Sequence, residues 1–173
     1  SAARVRLLRG VARFLLVPDA YTAWARAARR LAERELRTRR YDAIVTTSSP
    51  DSAHLAGRAL RRSSGLPWVA DFRDPWTRRL SYAPPTPVHD RWQRALERAC
   101  LREADRVVVT SEETRADFLA LDPALSPDRI RVITNGFDQE DFARAEALDP
   151  EALAWIPSGG IAILHAGQLN PER

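Results

Sequence analysis

The chain has 173 residues, 45% of them hydrophobic and 29% charged, with 27 basic against 23 acidic side chains and a formal net charge of +4. That balance describes one soluble domain, or one domain with the start of a second, and excludes a disordered chain. A single cysteine, Cys100, rules out an intramolecular disulfide, and His54, His89 and His165 lie too far apart in sequence to read as a zinc site.

No apolar run approaches the ~20 residues needed to cross a bilayer. Arginines at positions 4, 6, 9 and 13 interrupt what would have to be the apolar region of a signal peptide. A cytoplasmic, reducing location is expected. The chain has no methionine, so Ser1 is not read as a translation start and the chain is expected to be a piece of a longer protein. Every basic residue is arginine, which GC-rich codon usage explains more simply than selection for bidentate phosphate recognition. Residues 1–40 carry 11 arginines against 3 acids, whereas residues 101–173 carry 7 against 14.

In the basic first segment, Val5, Leu7, Leu8, Val11, Phe14 and Leu15 recur at helical spacing. A helix over residues 1–16 fits either an anionic membrane surface or a solvated helix face. Nucleic acid is not expected, because no finger, helix-turn-helix or aromatic RNA-binding motif accompanies the arginines. Pro18 and Asp19 break the run and restart a helix in which Trp24, Ala27, Ala28, Leu31 and Leu36 share one face, the other being arginine-rich.

Tyr41 to Thr47 then reads as a short strand, followed by Ser48-Ser49-Pro50, with Ser49 as helix cap and Pro50 as first helical residue. The helix that follows places Ala53, Ala56, Gly57 and Leu60 inward and stops near Ser64-Gly65, before a second strand over 67–70. After Asp71-Phe72-Arg73-Asp74-Pro75-Trp76, a loop with Pro84, Pro85 and Pro87 is expected to be exposed and mobile. A helix with Val88, Trp92, Ala95, Leu96 and Ala99 inward comes next, then a strand over 106–110 and a helix capped by Ser111. Residues 130–133 form a further strand closed by an Asn135-Gly136 turn. A loose, helix-poor acidic stretch, 138–158, leads to a last strand at 161–164 that ends at Gly167.

Short apolar strands alternating with amphipathic helices imply an α/β fold with a doubly wound parallel sheet, Rossmann-like. In such sheets ligands bind beyond the carboxyl ends of the strands. No dinucleotide glycine loop, phosphate-binding Gly-Lys-Ser/Thr loop or nucleophile elbow occurs. Asp71 and Asp74 flank Arg73 at a strand end, where a carboxylate can take a hydroxyl proton and Arg73 an anion. An Arg–Asp pair that merely pins the loop explains the same residues. Ser48, Ser49 and Ser111 have structural explanations as caps, and a helix start at Ser49 or Ser111 also suits a diphosphate. His54, His89 and Cys100 are assigned to packing or surface.

These residues carry a resemblance. Pro18-Asp19 with Trp24, Thr46 to Pro50, Trp68 to Trp76, Val108 to Glu112 and Ile133 to Asp138 resemble, in order and spacing, the N-terminal half of family 4-like, two-domain (GT-B) glycosyltransferases. Leu164 to Leu169 resembles the first strand and phosphate-side loop of their second domain.

The resemblance implies transfer of a sugar from a nucleotide-sugar to an acceptor hydroxyl, with retained configuration and no bound metal or other cofactor. It implies an acceptor-side domain over 1–137 that lacks the family's first strand and glycine-rich loop, a linker over 138–160 and the start of a donor-binding domain over 161–173. Asp71, Arg73 and Asp74 would be catalytic, Ser48, Ser49, Asp71 and Arg73 acceptor-binding, and Ser111, Asn135, Gly136, Gly167 and Arg173 donor-side. Many relatives place a histidine where Arg73 and Asp74 stand, and a basic residue where Gln168 stands. A lipid-linked acceptor, in polysaccharide or glycolipid synthesis, and docking of residues 1–16 on an anionic inner membrane face are expected with it. With so little of the donor side present, turnover by the chain alone is not expected. Two other readings stay open: a magnesium-dependent hydrolase using Asp71 and Asp74, and a non-catalytic binding module.

Overall fold

Each strand of this protein is short, and its apolar residues are sorted by which side of the sheet they meet. The chain divides into two units, Ser1–Asn135 and Gly136–Arg173, and the computed structural model describes residues 14–146. Residues 1–13, the strand expected at 161–164, Gly167 and Arg173 lie outside the described residues.

In the first unit, β1 (Ile44–Ser48), β2 (Trp68–Phe72), β3 (Arg106–Val109) and β4 (Ile130–Val132) pair in parallel, in the order β1-β2-β3-β4. Helix α1 (Thr22–Thr38) precedes β1. Helices α2 (Ser52–Ser64), α3 (Pro87–Glu103) and α4 (Glu112–Leu121) follow β1, β2 and β3 in turn. A 3-10 turn, Pro127–Arg129, leads into β4. This is the all-parallel, Rossmann-like α/β architecture that the strand and helix alternation implies.

Strand order equals chain order here, so each right-handed crossover returns its helix to the same side of the sheet. That side is the core. Trp68, Ala70 and Phe72 of β2, Val107 and Val109 of β3 and Ile130 of β4 are buried there together with Cys100, Leu101 and Phe118 from the helices. Phe72 stands at the centre, its ring 4.1 Å from that of His54 on α2 and 5.0 Å from that of Phe118 on α4. The alternate residues Val45, Thr47, Arg106 and Arg131 are exposed on the opposite face. At Gly57 an added Cβ would lie 2.6 Å from both Thr46 Cγ2 and Trp68 Nε1, so α2 can approach β1 and β2 this closely only with glycine there.

The helix ends follow local chemistry. Gly65 closes α2 at φ 73°, donating its N–H to the Arg61 carbonyl. Thr86 caps α3 ahead of Pro87, and Ser111 caps α4 by accepting the Thr114 N–H at 3.2 Å. The start of α2 departs from the sequence reading. It begins at Ser52, not Pro50, and the Ser52 N–H is taken at 2.8 Å by Asp19 Oδ2 from 33 residues upstream. Asp19 Oδ1 accepts the Tyr21 N–H just before α1, so one carboxylate ties the starts of two helices.

Two helices are turned in part from the facing that their apolar spacing predicts, although Ala28 and Leu36 of α1 and Ala99 of α3 are half-buried and Leu96 of α3 packs against the core, as expected. On α1, Thr22 and Ala25 are buried, whereas Trp24 and Leu31 are exposed. On α3, Gln93, Glu97, Cys100 and Leu101 are buried, whereas Val88 and Trp92, expected inward, are exposed. The reason lies in the loop before α3. Glu97 Oε1 accepts the N–H groups of Trp76 and Thr77 at 2.9 and 3.2 Å, and Oε2 accepts the Thr77 hydroxyl at 2.5 Å. Gln93 Oε1 takes the Trp76 indole N–H at 2.9 Å. These bonds satisfy two polar side chains that would otherwise be costly to bury.

The loop itself is therefore anchored where mobility was expected. Arg79 pairs with Asp51 at 2.7 Å, Arg78 with Asp117 at 2.6 Å, and the Tyr82 hydroxyl donates to Asp90 at 3.0 Å. In the second unit, α5 (Gln139–Glu146) occupies the opening of the stretch read as helix-poor. Asp138 Oδ1 accepts the Glu140 N–H at 2.9 Å, and the rings of Phe137 and Phe142 meet edge to face at 5.1 Å.

Candidate functional site

The carboxyl ends of β1, β2 and β3 lie side by side, because register pairs Thr47 with Asp71 with Val108, and Ser48 with Phe72 with Val109. Side chains alternate along each strand, so Ser48 and Phe72 point into the core while Thr47 and Asp71 stand on the open face. Thr47 donates its hydroxyl to Asp71 Oδ2 at 2.8 Å. Just past the strand ends, Thr110 donates its hydroxyl to the Arg73 carbonyl at 3.0 Å and fixes the backbone from which Arg73 and Asp74 project into solvent.

Asp71, Arg73 and Asp74 thus share one rim with Thr47, Thr110 and Ser111. This rim can accept hydroxyl protons at carboxylates, hold an anion at a guanidinium and donate from threonine hydroxyls. The serines before α2 divide. Ser49 is exposed, whereas Ser48 is buried on the core side and its Oγ has no protein partner. Ser111 is committed to capping α4. Asn135 follows β4 and is exposed, and Gly136, in the second unit, lacks the positive φ expected of an Asn-Gly turn.

Behind the rim lies a polar layer that residue spacing did not reveal. Asp51 is buried, and its Oδ2 receives the Arg79 guanidinium. Burial pushes the Asp51 carboxyl above its ordinary range, Arg79 pulls it back, and the negative charges of Asp19 and Asp74 add to the rise. Asp74 is therefore electrostatically linked to the start of α2 as well as to the rim. The Glu97 carboxyl is likewise pushed up by burial, against its bonds from Thr77 and Trp76. Glu97 also holds the chain at Trp76 and Thr77, two and three residues beyond Asp74.

His54 forms the third part of this layer. Trp68 Nε1–H donates to Thr46 Oγ1 at 2.8 Å, and Thr46 Oγ1 lies 2.8 Å from His54 Nδ1. The indole can only donate, so Thr46 Oγ1 accepts from it and shares the second hydrogen bond with His54 Nδ1, while His54 Nε2 is buried without a protein partner. Burial lowers the His54 pKa to about 3, which keeps the ring neutral. Cys100, also buried, has its thiol pushed up to about 12 and is no nucleophile at neutral pH.

Asp51, Arg79, Gln93 and Glu97 escaped the sequence reading, and Asp19 was read as a helix restart without its bond to the start of α2. The one usable signal was an acid at position 97 among apolar helix positions. Among the described residues, no group of three His, Cys, Asp or Glu side chains is placed to hold a metal ion.

No curated protein matches the chain. The model of one protein family, described as Glycosyltransferase Family 4, matches residues 1–141. The match spans the whole described sheet and the rim that carries Asp71, Arg73 and Asp74, and the chain belongs to glycosyltransferase family 4.

Proposed function

We propose that this chain is the acceptor-side part of a retaining, GT-B-type enzyme that moves a sugar from a nucleotide-sugar to an acceptor hydroxyl. The family makes it a glycosyltransferase domain. The observation that carries the finer reading is the rim at the end of β2. There Asp71 is oriented by Thr47, and the Arg73 backbone by Thr110, beside an exposed Asp74. Asp74 and Asp71 bind and orient the reacting hydroxyl, and Arg73 faces negative charge developing on the departing diphosphate, so positioning and electrostatics supply most of the rate.

Ser49 extends the acceptor surface. Ser111, Asn135, Gly136, Gly167 and Arg173 belong on the donor side, where residues 161–173 would open a second domain. These groups are few for a diphosphate, so turnover by the 173 residues alone is not expected. The acceptor would be a sugar or lipid-linked sugar in polysaccharide or glycolipid synthesis, at the cytoplasmic side of the membrane, and no metal or other cofactor would be needed.

The test uses the full gene product that contains this chain, screened for nucleoside diphosphate release with a panel of nucleotide-sugars and acceptors in the presence of a chelator. Replacing Asp74→Asn or Arg73→Gln is expected to lower kcat about 100-fold with the fold retained. Variants that turn over like the unaltered protein would remove these residues from the mechanism, and activity that requires magnesium would return the hydrolase reading.

A further inference from the structure

Two polar side chains of α3, Gln93 and Glu97, are buried at 8% and 0% exposure, and their hydrogen bonds go to a loop, not to the core around them. Glu97 takes the Trp76 and Thr77 N–H groups and the Thr77 hydroxyl, and Gln93 takes the Trp76 indole N–H. A buried carboxylate loses its hydration even when it is bonded, and an apolar side chain of similar volume often serves a core as well or better. The packing of α3 therefore does not call for an acid at position 97. The backbone of the loop does.

That loop carries Asp74. Thr110 holds the Arg73 carbonyl at 3.0 Å and Glu97 holds the Trp76 N–H at 2.9 Å, so the chain is fixed just before Asp74 and again two residues after it. Between those points the Pro75 ring sets its own φ and keeps Asp74, the residue before it, in the extended region. The second anchor cannot pivot, because the Trp76 ring is fully buried and Gln93 fixes its indole. Asp74 is thus exposed on a loop yet has little backbone freedom. The pairs of Arg78 with Asp117 and Arg79 with Asp51 lie farther along the loop and continue the restraint.

We propose that Glu97 is a positioning residue for the rim: from inside α3, with Gln93 beside it, it sets where the Asp74 carboxylate stands and touches no substrate itself. The inference rests on the transferase reading. A reacting hydroxyl has to be held in line, and a displacement of about 1 Å is enough to cost ~100-fold in rate. Loss of Glu97 should therefore appear in turnover and act through Asp74.

The test is a double-mutant cycle in the full gene product, with nucleoside diphosphate release as the readout and rates taken per folded protein from far-UV circular dichroism. Glu97→Ala should lower kcat about 100-fold and change KM less than about three-fold. Glu97→Gln, which keeps an oxygen for the two N–H groups, should recover at least about ten-fold of that loss. In an Asp74→Asn background, Glu97→Ala should cost less than about three-fold more, because the carboxylate it positions is already gone. Leu101→Val, one turn along the same buried side of α3, is the structural comparison and should have the same small effect in both backgrounds. Where Glu97→Ala does not fold, Gln93→Met takes its place in the cycle, with a loss of about ten-fold expected alone and less than about two-fold in Asp74→Asn. Losses that multiply across the two backgrounds overturn the proposal, because the side chain then supports the fold and not Asp74. A Glu97→Gln variant as slow as Glu97→Ala overturns it too, as does full turnover by Glu97→Ala. Failure of the transferase reading looks different: the unaltered protein releases no nucleoside diphosphate from any donor, or Asp74→Asn turns over normally, and the proposal falls with it.

Discussion

The two faces of the sheet are made from the same four strands, yet one holds the fold and the other presents the chemistry. On the covered face, Trp68, Ala70, Phe72, Val107 and Val109 are fully buried beneath α2, α3 and α4. On the other face, Thr47 and Asp71 meet at the carboxyl ends, and Val45, Arg106 and Arg131 are exposed. The difference comes from strand order. Four strands laid down in sequence order with right-handed crossovers send every connecting helix to one side, whatever the apolar character of the residues on the other. Adjacent residues such as Asp71 and Phe72 therefore belong to different parts of the molecule.

The largest test of this contrast uses that adjacent pair. Phe72→Ala removes a ring packed against His54 and Phe118 and should cost about 3–5 kcal/mol in denaturant unfolding. Asp71→Asn, one residue away, disturbs only the half-exposed bond from Thr47 and should change stability by less than about 1 kcal/mol. Similar costs at the two positions would mean that the open face is packed as tightly as the other.

How much of this was legible in the sequence follows from what each feature depends on. The strands, the Ser111 cap and the Gly65 stop depend on a few neighbouring residues, and local spacing located them. The facing of α3 depends on Glu97 meeting two peptide N–H groups and a hydroxyl from a loop 20 residues earlier. Apolar periodicity scores a glutamate as outward, because it cannot see the donors that make burial tolerable. The start of α2 was misplaced for the same reason, since its first free N–H is met by Asp19 and not by Ser49. At the rim, the run Asp71-Phe72-Arg73-Asp74 was readable as a strand end, but the layer behind it was not. The pairing of Asp51 with Arg79 spans 28 residues and exists only once the loop folds back.

A second test reads the covered face through pH. The His54 pKa falls to about 3 in the folded protein, against an ordinary value near ~6.5 in the unfolded chain. Between these values the unfolded chain binds more protons, so this contribution is complete above pH ~6.5 and is lost as pH falls toward the folded value. Glu97 and Asp51 act in the opposite sense. Their pKa values are raised by burial, so the folded state binds the extra protons and acidification favours it. Comparing the chain with His54→Phe isolates the histidine. Between pH 7.5 and 5 the unaltered chain should lose about 2 kcal/mol more than the variant. The lost Thr46 bond shifts the variant equally at both pH values and cancels in the difference. Parallel pH profiles would show that His54 is hydrated and titrates in the folded state.

The smallest expected effect is the most sensitive to the geometry of the open face. Val45 lies in the middle of β1, is apolar and β-branched, and from sequence alone reads as a core position. It is 69% exposed. Threonine keeps the branched shape and the strand preference while adding a hydroxyl. At an exposed site water satisfies that hydroxyl, and Val45→Thr should change stability by no more than about 0.5 kcal/mol in either direction. Beneath a helix the same hydroxyl would lack a partner and cost about 1–3 kcal/mol. A cost in that range would show that something packs on the open face in solution, and Val45, which lines the groove beside Trp24 and Leu31, would locate where.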